Sequence, residues 1–141
     1  MAKKVTLQTA GIDVSGATLQ VALRSVEGGI VDLEFTNDAV GHQLLVERLT
    51  RSGRSVRICL EATANYSLDV SLALVAHPRI ELMVVNPKAA RRFAEAQIRR
   101  AKTDKVDARS LLDFAECMPF TPWTPPAQSL LALRSIAGLP R

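Results

Sequence analysis

The chain has 141 residues, 48% of them apolar, and a formal net charge of +4. That length can bury one domain core, and the apolar share excludes a disordered chain. The pI of about 9.5 favours an anionic partner, although the clustering of basic residues says more than the total.

Gln8 to Val14 predicts a strand, closed by a turn at Ser15-Gly16. Ala17 to Ser25 alternates apolar and polar residues, and Ile30 to Thr36 alternates again behind a turn at Glu27-Gly28-Gly29. These segments form an antiparallel meander. Asn37 or Asp38 caps a helix whose apolar positions are Val40, Leu44, Leu45 and Leu49, and Ser52-Gly53 stops it. Val56 to Leu60 is a short apolar strand with Glu61 at its carboxyl end. Tyr66 to Ala76 is a second helix, closed by His77-Pro78. Ile80 to Val85 is a buried strand, and Asn86-Pro87 opens the next helix. Arg99 to Lys102 reads as a loop, and Thr103 caps a helix through Glu116. His42 and His77 read as surface positions.

The order is a meander followed by alternating helices and strands. It predicts an α/β fold with a mixed five-stranded sheet, its first three strands antiparallel and helices on both faces. Residues 1–118 would form the domain. Residues 119–126, with four prolines, would be an extended linker, and Trp123 within it an anchor onto the domain. Ala127 to Ala137 suggests one more short helix, and residues 127–141 the start of a longer helical region.

Cys59 and Cys117 belong to no Cys-x-x-Cys or Cys/His cluster. They argue against structural zinc and, although the two could pair, read as buried free thiols in a reducing cytosol. Met1-Ala2-Lys3-Lys4 precedes no signal-type apolar core, and no apolar run reaches the roughly 20 residues of a membrane span. A soluble cytoplasmic protein is expected, without membrane contact.

Charge concentrates between Val84 and Ala115. Lys88, Arg91, Arg92, Arg99, Arg100, Lys102, Lys105 and Arg109 oppose Glu95, Asp104, Asp107 and Asp113 there. Asp104 and Asp107, three apart, would share a helix face. Each acid has an ordinary reading. Asp13 could be a turn residue, and Glu61 a helix-entry acid. Asp104 and Asp107 could gain from the helix dipole or pair with Lys105 and Arg109. Together they read differently. A first-strand Asp, a Glu ending a crossover strand and an acidic helix pair can converge at one edge of a mixed sheet. Carboxylates so gathered need cations, and Mg²⁺ takes oxygen ligands while leaving positions for waters and phosphates.

Gly11-Ile12-Asp13-Val14-Ser15, Leu60-Glu61-Ala62-Thr63, Val85-Asn86-Pro87-Lys88 and Lys102-Thr103-Asp104-Lys105-Val106-Asp107-Ala108 resemble, in that order, the IS110-type transposases, the Piv/DEDD recombinase family. The resemblance covers residues 8–135, the family's amino-terminal domain, and implies a RuvC-like, RNase H-like fold. It implies that Asp13, Glu61, Asp104 and Asp107 are catalytic and bind Mg²⁺, with Mn²⁺ as the alternative ion. It also implies DNA strand exchange by an insertion element, with a structured element-encoded RNA choosing the DNA in part of the family. Lys88, Arg91, Arg92, Arg99, Arg100, Lys102 and Lys105 would contact the nucleic-acid backbone. The full-length protein is expected to be a homo-oligomer. Ala64 replaces the glycine common after Glu-Ala-Thr. No serine matches the context of the family's second-domain nucleophile, so complete recombinase activity is not expected of these residues alone.

Two rival readings accompany this one. Gly-Ile-Asp-Val-Ser-Gly-Ala-Thr also resembles the first phosphate motif of sugar kinases and actin-like ATPases, which need a second phosphate loop and an adenosine site. The other rival is a non-catalytic RNA- or DNA-binding module whose acids are structural.

Overall fold

The computed structural model describes residues 7–62, 66–97 and 107–126. Five strands, β1 (Leu7–Val14), β2 (Thr18–Arg24), β3 (Ile30–Thr36), β4 (Ser55–Glu61) and β5 (Ile80–Val85), form one sheet in the order β3-β2-β1-β4-β5. The meander β1–β3 is antiparallel, whereas β4 runs parallel to β1 and β5 parallel to β4. The helices are α1 (Ala39–Thr50), α2 (Leu68–Val75), α3 (Pro87–Gln97) and α4 (Ala108–Cys117). Among the described residues, no helix is long and apolar enough to cross a membrane.

Strand alternation divides the core between two faces. On one, Ala10, Ile12, Leu19, Val21, Ile58, Leu60 and Leu82 pack against Leu45 and Leu49 of α1 and Val70 and Leu74 of α2. On the other, Cys59, Met83 and Val85 pack against Leu111, Phe114 and Ala115 of α4, while Ala22 meets Ala108 and Leu112. Ala90 of α3 joins this second layer, and Phe93 meets Phe114 edge-on with ring centroids 5.1 Å apart.

The expected strands are all present. The helices depart from expectation in informative ways. Asp38 caps α1, its carboxylate accepting the Gly41 amide at 2.8 Å. Val40 and Leu44, expected on the buried stripe, are 66% and 51% exposed. Gly41 sets this rotation. It lies against Thr36, where a Cβ would strike the carbonyl oxygen, so Gly41, Leu45 and Leu49 face the sheet. His42, expected at the surface, turns inward with them and is buried. Helix α2 starts at Leu68 rather than Tyr66. Asn86 caps α3 as expected, accepting the Lys88 amide at 2.7 Å. The helix expected behind Thr103 starts at Ala108, with Asp107 as its cap. The Thr103 position, the Arg99–Lys102 loop and the Ala127–Ala137 helix lie outside the described residues.

Behind α4 the proline-rich segment follows the sheet edge. Phe120 packs on the α4 face, where the Arg57 guanidinium lies 4.6 Å from its ring centroid. Trp123 packs on the α1/α2 face, and its amide donates to Leu82 of edge strand β5 at 2.9 Å. The anchor expected of Trp123 is therefore present, and the segment covers an edge that would otherwise offer pairing groups.

Glu116 near the end of α4 accepts from Arg24 at 2.8 and 2.9 Å and from the Thr9 hydroxyl at 2.7 Å. The Arg24 bond, ahead of the Thr9 bond, holds its carboxyl below the usual range of about 4.5 despite partial burial. A depressed carboxyl contributes stability above the unfolded pKa and loses it as pH falls through the folded one. Wild-type melting temperature is therefore expected to fall more steeply between pH 5 and pH 3 than that of Glu116→Gln. Equal slopes would remove this group from the acid response.

Candidate functional site

Every second residue of β1 faces α4. Thr9 bonds Glu116 near the end of that helix. Gly11 lies beneath its middle, where a Cβ would collide with the Ala108 carbonyl oxygen and the Leu112 amide nitrogen. Asp13 shares a hollow with Asp107 and Ala108 at its start. Helix α4 thus runs against β1 in the opposite sense. Its positive dipole end comes to the carboxyl end of β1, where it favours anionic side chains.

The neighbouring strand brings the second acid. Ile12 pairs with Leu60 in the parallel β1/β4 register, so Asp13 and Glu61 each follow that pair. Both are half-buried. Glu61 ends β4, in register with Val85 of β5, and the Ala62 amide extends the ladder to the Val85 carbonyl at 2.9 Å. Burial first, then the Asp13 charge, pushes the Glu61 carboxyl above its ordinary range, while Arg91 of α3 pulls it back. Cys59, below Glu61 on the same face, has its thiol pushed up to about 12, mostly by burial and further by Glu61. It is a protonated packing residue at neutral pH.

Asp107 occupies a cap, not the helix face expected from its spacing to Asp104. Its backbone is extended, and its Oδ1 accepts the Ser110 amide at 2.9 Å. Asp104 lies outside the described residues, as do Arg99, Arg100, Lys102 and Lys105. Lys88, Arg91 and Arg92 are exposed on α3. Arg109, one of the two residues that could pair with the acidic pair, hydrogen-bonds Asp32 of β3 through Nη2 at 2.6 Å and Nε at 3.3 Å.

Asp13, Glu61 and Asp107 therefore come to one end of the sheet. Asp13 is the common member, beside Glu61 through the strand register and beside Asp107 through the hollow. Among the described residues, no three His, Cys, Asp or Glu side chains gather closely enough to hold a metal ion. The Asp13–Glu61 pair supplies hard oxygen donors suited to Mg²⁺, but only part of an ion's shell.

Gln20 and Asp32 also line the hollow beside Asp13, though neither stood out in the sequence. The signal was available: both are polar strand residues on the face that alternation assigns to Gly11 and Asp13. A larger groove of about 560 Å³ lies between α1 and α2, walled by Val46, Leu72, Ala73 and Ala76. It belongs to the opposite face from the carboxylates.

The mixed sheet in the order 3-2-1-4-5 is that of an RNase H-like fold, and Asp13 and Glu61 lie toward the carboxyl ends of its central parallel strands. The chain belongs to the IS110-type DEDD transposase family, whose profile matches residues 10–139. RuvC of Thermus thermophilus is a similar solved structure, at 16% identity and TM-score 0.47, covering 95% of this chain and 84% of that one. A Ppx/GppA family member from Aquifex aeolicus is similar at 12% identity and TM-score 0.40 over 65% of this chain. The chain spans 39% of that structure's length. No curated protein matches the chain.

Proposed function

We propose that this chain is the metal-binding, nuclease-like domain of an insertion-sequence transposase, serving Mg²⁺-dependent cleavage and exchange of DNA strands. The meeting of Asp13 and Glu61 at the ends of neighbouring parallel strands, with the start of α4 at the same end, carries the reading. Asp13, Glu61 and Asp107 would hold Mg²⁺ or Mn²⁺ together with Asp104. When bound, the ion supplies positive charge to the phosphoryl group and lowers the pKa of an attacking oxygen. Lys88, Arg91 and Arg92 of α3 hold the DNA backbone beside the acids, and Arg91 balances the Glu61 charge. Arg99, Arg100, Lys102 and Lys105 extend that basic contact. In this reading the protein acts in the cytoplasm as a homo-oligomer, a structured element-encoded RNA selects the DNA, and a serine-bearing second domain completes strand exchange.

Mg²⁺ titration of thermal stability and DNA affinity tests the metal step. An ion in tenfold excess over its Kd stabilises the folded chain by about 1.4 kcal/mol. Wild type is expected to show such a gain, and the triple variant Asp13→Asn, Asp104→Asn, Asp107→Asn to lose it. Asparagine preserves the cap at position 107, so the variant still starts α4. A wild-type chain whose stability and DNA affinity ignore Mg²⁺ contradicts the metal site.

A second reading, a non-catalytic nucleic-acid-binding module, is favoured by the three exposed cations that α3 carries, Lys88, Arg91 and Arg92. Under it, DNA binding depends on Lys88, Arg91 and Arg92 and is unaffected by the triple Asn substitution.

A further inference from the structure

The carboxylates lie between two unlike flanks. On the β4/β5 side, α3 presents Lys88, Arg91 and Arg92 to solvent. On the β2/β3 side, Gln20, Asp32 and Glu34 stand on the face that carries Asp13, and α4 adds Arg109. Arg109 brings no net charge there, because Asp32 pairs with it at 2.6 Å. The hollow on this side, about 250 Å³, is bordered by Asp13 and Asp107 and walled by Gln20, Asp32 and Arg109. This flank offers no net positive charge of its own to a phosphodiester, whereas the exposed cations of α3 attract one. A strand crossing the carboxylates is therefore drawn with its backbone toward α3 and its bases toward β2 and β3.

The polar groups of the hollow suit a base edge. Gln20 gives its amide N–H to Glu34 at 2.8 Å, which leaves Oε1 as an acceptor. Asp32 has lone pairs beyond those that take Arg109, and Arg109 has N–H donors beyond the two that hold Asp32. Acceptors and donors thus stand side by side. The Watson–Crick edges of adenine and cytosine each place an amino N–H donor directly beside a ring-nitrogen acceptor, whereas guanine puts a second N–H donor beside its amino group. Thymine offers two carbonyls around one N–H.

We infer that this hollow is a nucleobase subsite, in which Gln20 and Asp32 accept the amino group of an unpaired base and Arg109 donates to its neighbouring acceptor. The inference rests on the nucleic-acid reading of the carboxylate site and names the part of the strand that the site selects. The base must leave its stack to enter, so single-stranded or distorted DNA is the form that fits.

The test is equilibrium binding of the 141-residue chain, in Mg²⁺ buffer, to a randomised single-stranded DNA library, with the bound fraction sequenced. Wild type is expected to enrich adenine and cytosine over thymine at one position by about fivefold to tenfold. Asp32→Ala and Gln20→Ala are expected to flatten that position to about twofold or less. Lys88→Ala with Arg92→Ala is expected to lower total affinity and leave the base profile in place. Asp32 and Arg109 form an exposed pair, so an unchanged melting temperature in Asp32→Ala separates loss of readout from unfolding. A flat wild-type profile, or variants that keep the wild-type profile, overturns the subsite while leaving DNA binding intact. A wild-type chain that binds no DNA overturns the nucleic-acid reading itself.

Discussion

Gly11→Ala is expected to destabilise the fold by about 3 kcal/mol, the upper end of the usual cost of overpacking. Most core insertions are relieved by a neighbouring side chain that changes rotamer. Here the added Cβ meets backbone, the Ala108 carbonyl oxygen and the Leu112 amide nitrogen, so α4 must lift from β1 as a unit. That movement would also weaken the packing of Leu112 against Ala22 and the Glu116 bond to Thr9. Gly28→Ala is the contrasting substitution. Gly28 has φ of +101°, but nothing lies within 4 Å of an added Cβ, so its cost is backbone strain of about 1–2 kcal/mol. Urea unfolding checks both as a lower midpoint at unchanged m-value. Because α4 brings Asp107 to the Asp13 hollow, Gly11→Ala is further expected, under the proposed metal site, to reduce stabilisation by Mg²⁺. A wild-type midpoint in this variant would contradict the seating of α4 on β1.

The strands were legible because period-two alternation reports directly which side chains face a core. Leu19, Val21 and Leu23 of β2 alternate as expected and are buried. The placement of Asp13 and Glu61 also followed from pattern, since each lies near the carboxyl end of a strand and the parallel crossover brings those ends to the same edge. Helix rotation was less legible. Val40–Leu44 and Gly41–Leu45–Leu49 are adjacent helical stripes, offset by one residue, and apolar spacing alone merges them into one broad face. A close approach of Gly41 to Thr36 selects the second. Likewise, the spacing of Asp104 and Asp107 suggested one helix face, but an Asp that can accept an amide two or three residues ahead can also start the helix. Asp107 does so through Ser110. Tertiary partners were hardest to read. Nothing near Arg109 in sequence points to Asp32, which β3 carries to it through the sheet.

Asn37 is the second position where one substitution is expected to cost heavily. Its Nδ2 donates to the Ser15 carbonyl at 2.7 Å and to the Tyr66 carbonyl at 3.0 Å, joining the β1–β2 turn to the approach to α2. With the amide nitrogen so used, Oδ1 accepts, and the His42 Nε2 at 2.7 Å must carry the proton. Asn37→Ala leaves that buried N–H without its acceptor and frees the turn that follows Asp13. The expected loss is about 2–3 kcal/mol. Asn37→Asp separates the two functions. A carboxylate repels the Ser15 and Tyr66 carbonyls but attracts a protonated His42. In wild type, burial holds the His42 pKa below 6.5, against the opposing pull of Asp69 and Asp38. A histidine depressed in this way makes the folded state less stable as pH falls, because unfolding lets it take a proton. An aspartate at position 37 raises the folded pKa, and the added stability is then present below the unfolded value and lost as pH rises through the folded one. Asn37→Asp is therefore expected to lie closer to wild type at pH 5 than at pH 8, whereas Asn37→Ala shows no such recovery at pH 5. Urea unfolding at both pH values checks this. Parallel losses in the two variants would show that the link to the two carbonyls, and not the His42 bond, dominates the role of Asn37.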